Sequence, residues 1–162
     1  MLNKTVSRME FAVFLIGILA LMSTIHQART EEPAVIRARI DVKPDALHLR
    51  CPRNLIACYI ELPQGYRPAS IDVSSIRLNR TFSPIRPFAI GDYDNDGIPD
   101  LQVMFERAPI IRYIMRSVNI TQTLEQGSVT VALTATGYLN DGTAFRGTDT
   151  IKIIFQPIRG AL

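Results

Sequence analysis

From Ile36 the chain alternates: Ile36, Ala38, Ile40 and Val42 fall on one side of an extended segment, and Arg37, Arg39 and Asp41 on the other. Side chains of a strand point to opposite faces with a period of two, so this pattern suits a half-buried strand and does not suit a helix. Shorter runs repeat the signal. Lys43-Pro44-Asp45 turns the chain, Leu47 and Leu49 flank His48 in a second strand, and Ile56 to Leu62 reads as a third, stopped by Pro63-Gln64-Gly65. Ile71, Val73, Ile76 and Leu78 give a further strand or pair of strands with a break at Ser74-Ser75. Phe88 to Ile90 then leads into an acidic loop, and Leu101, Val103 and Phe105 alternate directly after it.

The C-terminal part adds a long strand near Ser128 to Leu139, a turn at Asn140-Asp141-Gly142 and a last strand from Thr150 to Gln156. Asp-Gly between alternating apolar runs is a strong hairpin signal, because the turn needs residues that tolerate positive φ. A single stretch reads as helix. Pro109 suits a first helical position, and Ile111, Ile114, Met115 and Val118 recur at helical spacing, with Arg112 and Arg116 on the wet face. Such a helix is expected to cover one end of the sheets. The fold class expected is all-β, an immunoglobulin-like β-sandwich of about seven or eight strands with one short helix.

The N-terminus carries an address. Lys4 and Arg8 form a cationic start, and Phe11 to Met22 is wholly apolar or Gly, the pattern of a signal-peptide core. A helix from Phe11 to Ile25 at ~1.5 Å per residue reaches roughly 22 Å, short of a hydrocarbon core of about 30 Å. Ala28 suits the residue before a cut, whereas His26 is larger than such a site prefers, so cleavage and an uncleaved anchor both stay open. The division expected is residues 1–28 as a signal peptide or anchor, 29–34 as a linker and 35–158 as the β-sandwich. A chain of 162 residues has room for one such domain.

The loop Asp92-Tyr93-Asp94-Asn95-Asp96-Gly97-Ile98-Pro99-Asp100 holds the strongest chemistry. Carboxylates at positions 1, 3 and 5, a Gly at 6, a carbonyl from Ile98 at 7 and Asp100 at 9 give the oxygen spacing with which a tight loop wraps a hard cation. Calcium is the expected occupant, held by Asp92, Asp94, Asp96, Ile98 and Asp100. Val103 stands where an EF-hand has its bidentate Glu, and strand follows rather than helix, so this is no EF-hand. With that ligand missing, affinity should fall toward the ~10⁻⁴–10⁻³ M of extracellular modules, and Mg²⁺ should bind poorly. The other reading is a solvated Asp-rich turn, its charge balanced by Arg77, Arg86 or Arg107.

The remaining constellations are thinner. Cys51 and Cys58, with six residues between them, suit a disulfide across a tight turn in an exported chain, with two free buried thiols as the other reading. Asn79-Arg80-Thr81 and Asn119-Ile120-Thr121 are glycan acceptor patterns, at Asn79 and Asn119. His48 is the one histidine after the leader, and neither a nucleophile elbow, a metal-binding His pair nor a phosphate-cradling loop is present in the sequence. The chain reads as a non-enzyme. Its formal charge of +3 is spread among many carboxylates with no basic stripe and no Trp, which argues against a nucleic-acid partner.

Three segments carry a resemblance. Ile40-Asp41-Val42-Lys43-Pro44-Asp45-Ala46-Leu47-His48-Leu49, then Cys58-Tyr59-Ile60-Glu61-Leu62-Pro63-Gln64-Gly65-Tyr66 with Ile71 to Asn79, then Gly137 to Ile151, together with the acidic loop, resemble an exported β-sandwich domain recurrent in archaeal and bacterial cell-surface proteins. The likeness spans about Arg39 to Ile154. It implies an extracellular or cell-surface setting, a sandwich fold and a calcium loop on Asp92, Asp94, Asp96 and Asp100, and it implies no defined activity. Arg50-Cys51-Pro52 departs from the Ser-Lys-Gly turn usual there. The function expected is a structural or adhesive module of the cell surface, whose partner is a surface protein or glycan and which meets a membrane only through an uncleaved leader. The second expectation is a carbohydrate-binding or accessory domain of the envelope, which would need an aromatic platform drawn from Tyr59, Tyr66, Tyr93, Tyr113 and Tyr138.

Overall fold

The computed structural model describes residues 34–49, 53–118 and 127–155, which form a mostly β structure of two sheets and one helix. The leader, the linker up to residue 33, Cys51, Asn119 and Gln156 lie outside the described residues. The strands are β1 (Ile36–Arg37), β2 (Arg39–Lys43), β3 (Ala46–His48), β4 (Leu55–Glu61), β5 (Ile71–Leu78), β6 (Ile85–Gly91), β7 (Asp100–Glu106), β8 (Ser128–Leu139) and β9 (Ala144–Ile154), with helix α1 at Arg107–Ser117. A five-stranded sheet runs in the order β1-β9-β8-β5, with β3 also on β9, and a four-stranded sheet runs β2-β4-β7-β6. Among the described residues no helix is long and apolar enough to cross a membrane.

The alternating segment at Ile36 is divided between the sheets. β1 pairs parallel with β9, whereas β2 pairs antiparallel with β4, and the crossing falls at Ala38, whose N–H donates to the Arg146 carbonyl at 2.9 Å. Gly147 makes room for it. A Cβ there would overlap the Ile40 side chain and the Ala38 carbonyl, so only a residue without one lets the crossing strand lie this close. Just beyond, the Asp149 carboxylate accepts the Val42 N–H at 2.8 Å, satisfying a donor near the change of sheet.

The core lies between the sheets, as period-two burial dictates. Val42, Ile56, Ile60, Val103 and Phe105 come from the four-stranded sheet, and Ile76, Leu78, Leu133, Phe145, Ile151 and Ile153 from the five-stranded one. Each such side chain contributes about 1.5–3 kcal/mol on leaving water. Helix α1 adds the buried Ile110 and Ile114, while Arg112 and Arg116 stay exposed. It begins two residues before Pro109. The first-turn N–H groups of a helix lack intrahelical partners, so a proline at the third helical position costs no hydrogen bond.

Cys58 corrects one expectation. It occupies an inward position of β4 between Ile56 and Ile60, it is a free thiol, and it is wholly buried. The expected bridge to Cys51 is not made by it: the alternation that puts Ile56 and Ile60 in the core puts Cys58 there as well. Burial pushes its thiol well above the usual range, so it packs as a small apolar group.

Two further boundaries moved. β9 starts at Ala144 rather than Thr150, because the chain re-enters the ladder directly after the turn and Tyr138 already pairs with Ala144. In that turn the Gly142 N–H donates to the Leu139 carbonyl at 2.9 Å, and Gly142 alone takes positive φ, at 86°. The break expected at Ser74-Ser75 is a bulge in β5, where the Ser75 hydroxyl donates to the Asp72 carbonyl at 2.6 Å and accepts the Tyr138 N–H at 2.8 Å. A side chain there replaces a rung of the ladder.

Candidate metal centre

Gly91 ends β6 and Asp100 begins β7, and the two are register partners, so the loop between them closes a hairpin of the four-stranded sheet. Its turn is shaped by Asn95 and Gly97, at φ 60° and 86°. Those conformations suit Asn and Gly and few other residues. The carboxylates fold back on the loop's own backbone. Asp92 accepts the Asp96 N–H at 3.1 Å on Oδ1 and the Gly97 N–H at 3.0 Å on Oδ2, and Asp96 Oδ1 accepts the Ile98 N–H at 2.9 Å.

Asp100 differs from the rest. It is the one buried charged residue among those described, only 4% exposed, and its Oδ2 accepts the Tyr93 N–H at 3.1 Å. Burial raises its pKa above the ordinary carboxylate value; the bond from Tyr93 opposes this, and the charges of Asp94, Asp96 and Asp92 add to it. A buried carboxylate facing three others gains from a cation.

The five expected positions are not gathered into one shell. Oxygens of Asp92, Asp94 and Asp100 lie within 4.8 Å of one another, and so do those of Asp94, Asp96 and Glu61. Asp94 belongs to both groups. Ile98 is 44% exposed, and the contact of its backbone is that of its N–H with Asp96. The first group fits a hard cation in kind: three carboxylates, one of them buried, with no nitrogen or sulfur donor.

The second group is occupied by the protein itself. Arg39 Nη1 lies 2.8 Å from Asp94 Oδ2, 3.1 Å from Asp96 Oδ2 and 2.9 Å from Glu61 Oε2. Arg39, Glu61, Asp100 and Gly91 are successive register partners across β2, β4, β7 and β6, so one row of the sheet carries both the balancing charge and the buried carboxylate. The three arginines considered for this role are elsewhere: Arg77 donates to the Ser74 and Ile76 carbonyls, Arg107 to that of His48, and Arg86 lies over Phe88. Both Arg39 and Glu61 were missed by sequence reasoning. Each sits at an outward place of an alternating run, but only strand register brings them beside the loop.

Beside this row lies a cleft of about 170 Å³, lined by Arg39, Asp41, Lys43, Tyr59, Glu61 and Tyr93 together with Asp94 and Asp100. The rings of Tyr59 and Tyr93 meet there with centroids 4.8 Å apart, and Gln102 Nε2 donates to the Tyr59 hydroxyl at 3.0 Å. The other expected sites are set apart from it. His48 is exposed on β3, and Asn79, at φ 47°, uses its side-chain oxygen to accept the Thr134 N–H at 2.8 Å. Comparison of the chain with protein-family models, curated proteins and solved structures finds no match in any of the three.

Proposed function

We propose that the chain is a non-catalytic module of the cell surface, an exported immunoglobulin-like sandwich in which one calcium ion ties together the β6–β7 loop. The convergence of Asp92, Asp94 and the buried Asp100 carries this reading. Like charges so close favour either protonation or a divalent guest. Asp96 and the Ile98 carbonyl complete the expected ligand set once Asp96 is released from Arg39. The ion's part would be structural, stiffening one end of the domain that a partner meets.

Calorimetric titration of the full chain with calcium, paired with melting curves in calcium and in chelator, tests the proposal. At a dissociation constant of ~10⁻⁴–10⁻³ M, about 10 mM calcium stabilises the fold by roughly 1.5–3 kcal/mol. No binding heat and superimposable melting curves would sink it. The Tyr59–Tyr93 pair favours a second reading, a carbohydrate-binding domain whose cleft takes a sugar beside the loop. A glycan array probed with the calcium-loaded protein and with a Tyr59→Ala variant separates the two, since only sugar held in this cleft is lost with the Tyr59 ring.

A further inference from the structure

The opposite face of the molecule, the outer side of the five-stranded sheet, assembles a basic row that the linear sequence hides. Arg37 pairs in register with Arg146, Arg146 with Thr136, and Thr136 with Arg77, so three arginines share one line across β1, β9, β8 and β5. All point outward, because the neighbours of each along its strand, among them Ile36, Phe145 and Ile76, are buried. Arg80 joins Arg77, Arg146 and Tyr138 around a shallow depression of about 390 Å³.

No carboxylate balances these charges among the described residues, where the ion pairs are those of Arg39 and Lys43. Arg77 Nη1 is held by the Ser74 and Ile76 carbonyls, which orient the guanidinium and leave its charge. The acid closest in register, Asp72 opposite Tyr138, turns its Oδ1 along its own strand to the Ser74 N–H and hydroxyl. Like charges placed side by side across strands oppose folding, and an anion seated on such a row would relieve that repulsion.

We propose that this face binds an acidic polysaccharide, a chain of sugar rings bearing carboxylates. Guanidinium forks match carboxylates in a two-pronged geometry. The surroundings select sugar over other polyanions. Thr134 and Thr148, whose hydroxyls meet at 2.9 Å, and Thr136 lie beside the arginines and offer donors and acceptors to ring hydroxyls. Tyr138, 55% exposed, offers a ring face to the apolar side of a sugar. The row is remote in the sheet order from the acidic loop, and the proposal does not depend on the metal.

The test measures affinity of the full chain for alginate oligosaccharides, in chelator so that the loop plays no part, with neutral dextran, phosphatidylglycerol vesicles and a DNA duplex in parallel. Alginate binding that weakens with added salt is expected, with no retention of dextran. The double substitution Arg37→Gln with Arg146→Gln should lower affinity about tenfold, while the charge-matched pair Arg112→Gln with Arg116→Gln on α1 should leave it unchanged. Tyr138→Ala should weaken binding at constant charge, and melting curves check that each variant folds. Absence of alginate binding, an equal loss in the α1 pair, or vesicles or DNA bound as tightly as alginate would each overturn the proposal.

Discussion

Arg39 Nη1 lies 2.8 Å from Asp94 Oδ2, and that carboxylate also belongs to the cluster with Asp92 and the buried Asp100. The guanidinium and a divalent ion therefore draw on the same charge. Arg39 acts as the resident cation of the loop, and on the proposed calcium reading the loop's response to the ion would be set partly by how firmly this arginine holds.

Replacing it shifts that balance. Arg39→Gln frees Asp94, Asp96 and Glu61 from their shared partner, so calcium affinity should rise about three- to tenfold while the metal-free protein melts at a lower temperature. Titration calorimetry and melting curves in chelator read the two effects. A variant with unchanged calcium affinity would show that the arginine and the ion do not compete.

Acidity and calcium should act on Asp100 in opposite directions. Its pKa in the folded protein is raised, chiefly by burial, above the unfolded value of about 3.9, so across that interval the folded state keeps a proton that the unfolded chain has lost. The stability from this group is complete below the unfolded value and is lost as pH rises through the folded one. Without metal, Asp100→Asn should flatten the pH dependence above pH 4 and leave the protein at least as stable at pH 7. In calcium the same variant should lose the stabilisation that wild type gains.

The passage of the first strand between sheets depends on Gly147. Gly147→Ala drives a Cβ into the Ala38 carbonyl and the Ile40 side chain, and backbone cannot yield as a flexible side chain does. A loss of about 3 kcal/mol is expected, visible as a lower denaturation midpoint with an unchanged slope.

Cys58 should resist thiol reagents in the native protein. A Cys51→Ser chain, which leaves Cys58 as the only thiol, should react with a disulfide reagent only at the rate at which the fold opens, and fully in denaturant. Fast labelling of the native chain would contradict its place in the core. Cys58→Ser should cost roughly 1–3 kcal/mol by burying a hydroxyl.

The strands that read most clearly in sequence were those with one wet face, such as Arg39–Lys43 and Leu55–Glu61, where burial alone imposes the alternation. The first half of β9 was not legible, because Ala144-Phe145-Arg146-Gly147-Thr148-Asp149 is mostly polar and holds a glycine, whose place in the strand is explained by the nearness of Ala38. Ile36 to Val42 showed no sign of changing sheets, because both halves turn the same parity toward one core. The acidic loop was legible since its carboxylates are close in sequence. Glu61, Arg39 and the row of Arg37, Arg146 and Arg77 were not, since register between strands distant in sequence places them.

The parallel pairing of β1 with β9 bears on how the domain carries load. Tension applied between residue 34 and residue 155 pulls neighbouring parallel strands from opposite ends, along their length. Their hydrogen bonds would then have to break together in shear and could not peel apart one by one. Arg37, Ala38 and Gly147 thus mark a mechanical clamp that extends, through the same short run of chain, into both sheets.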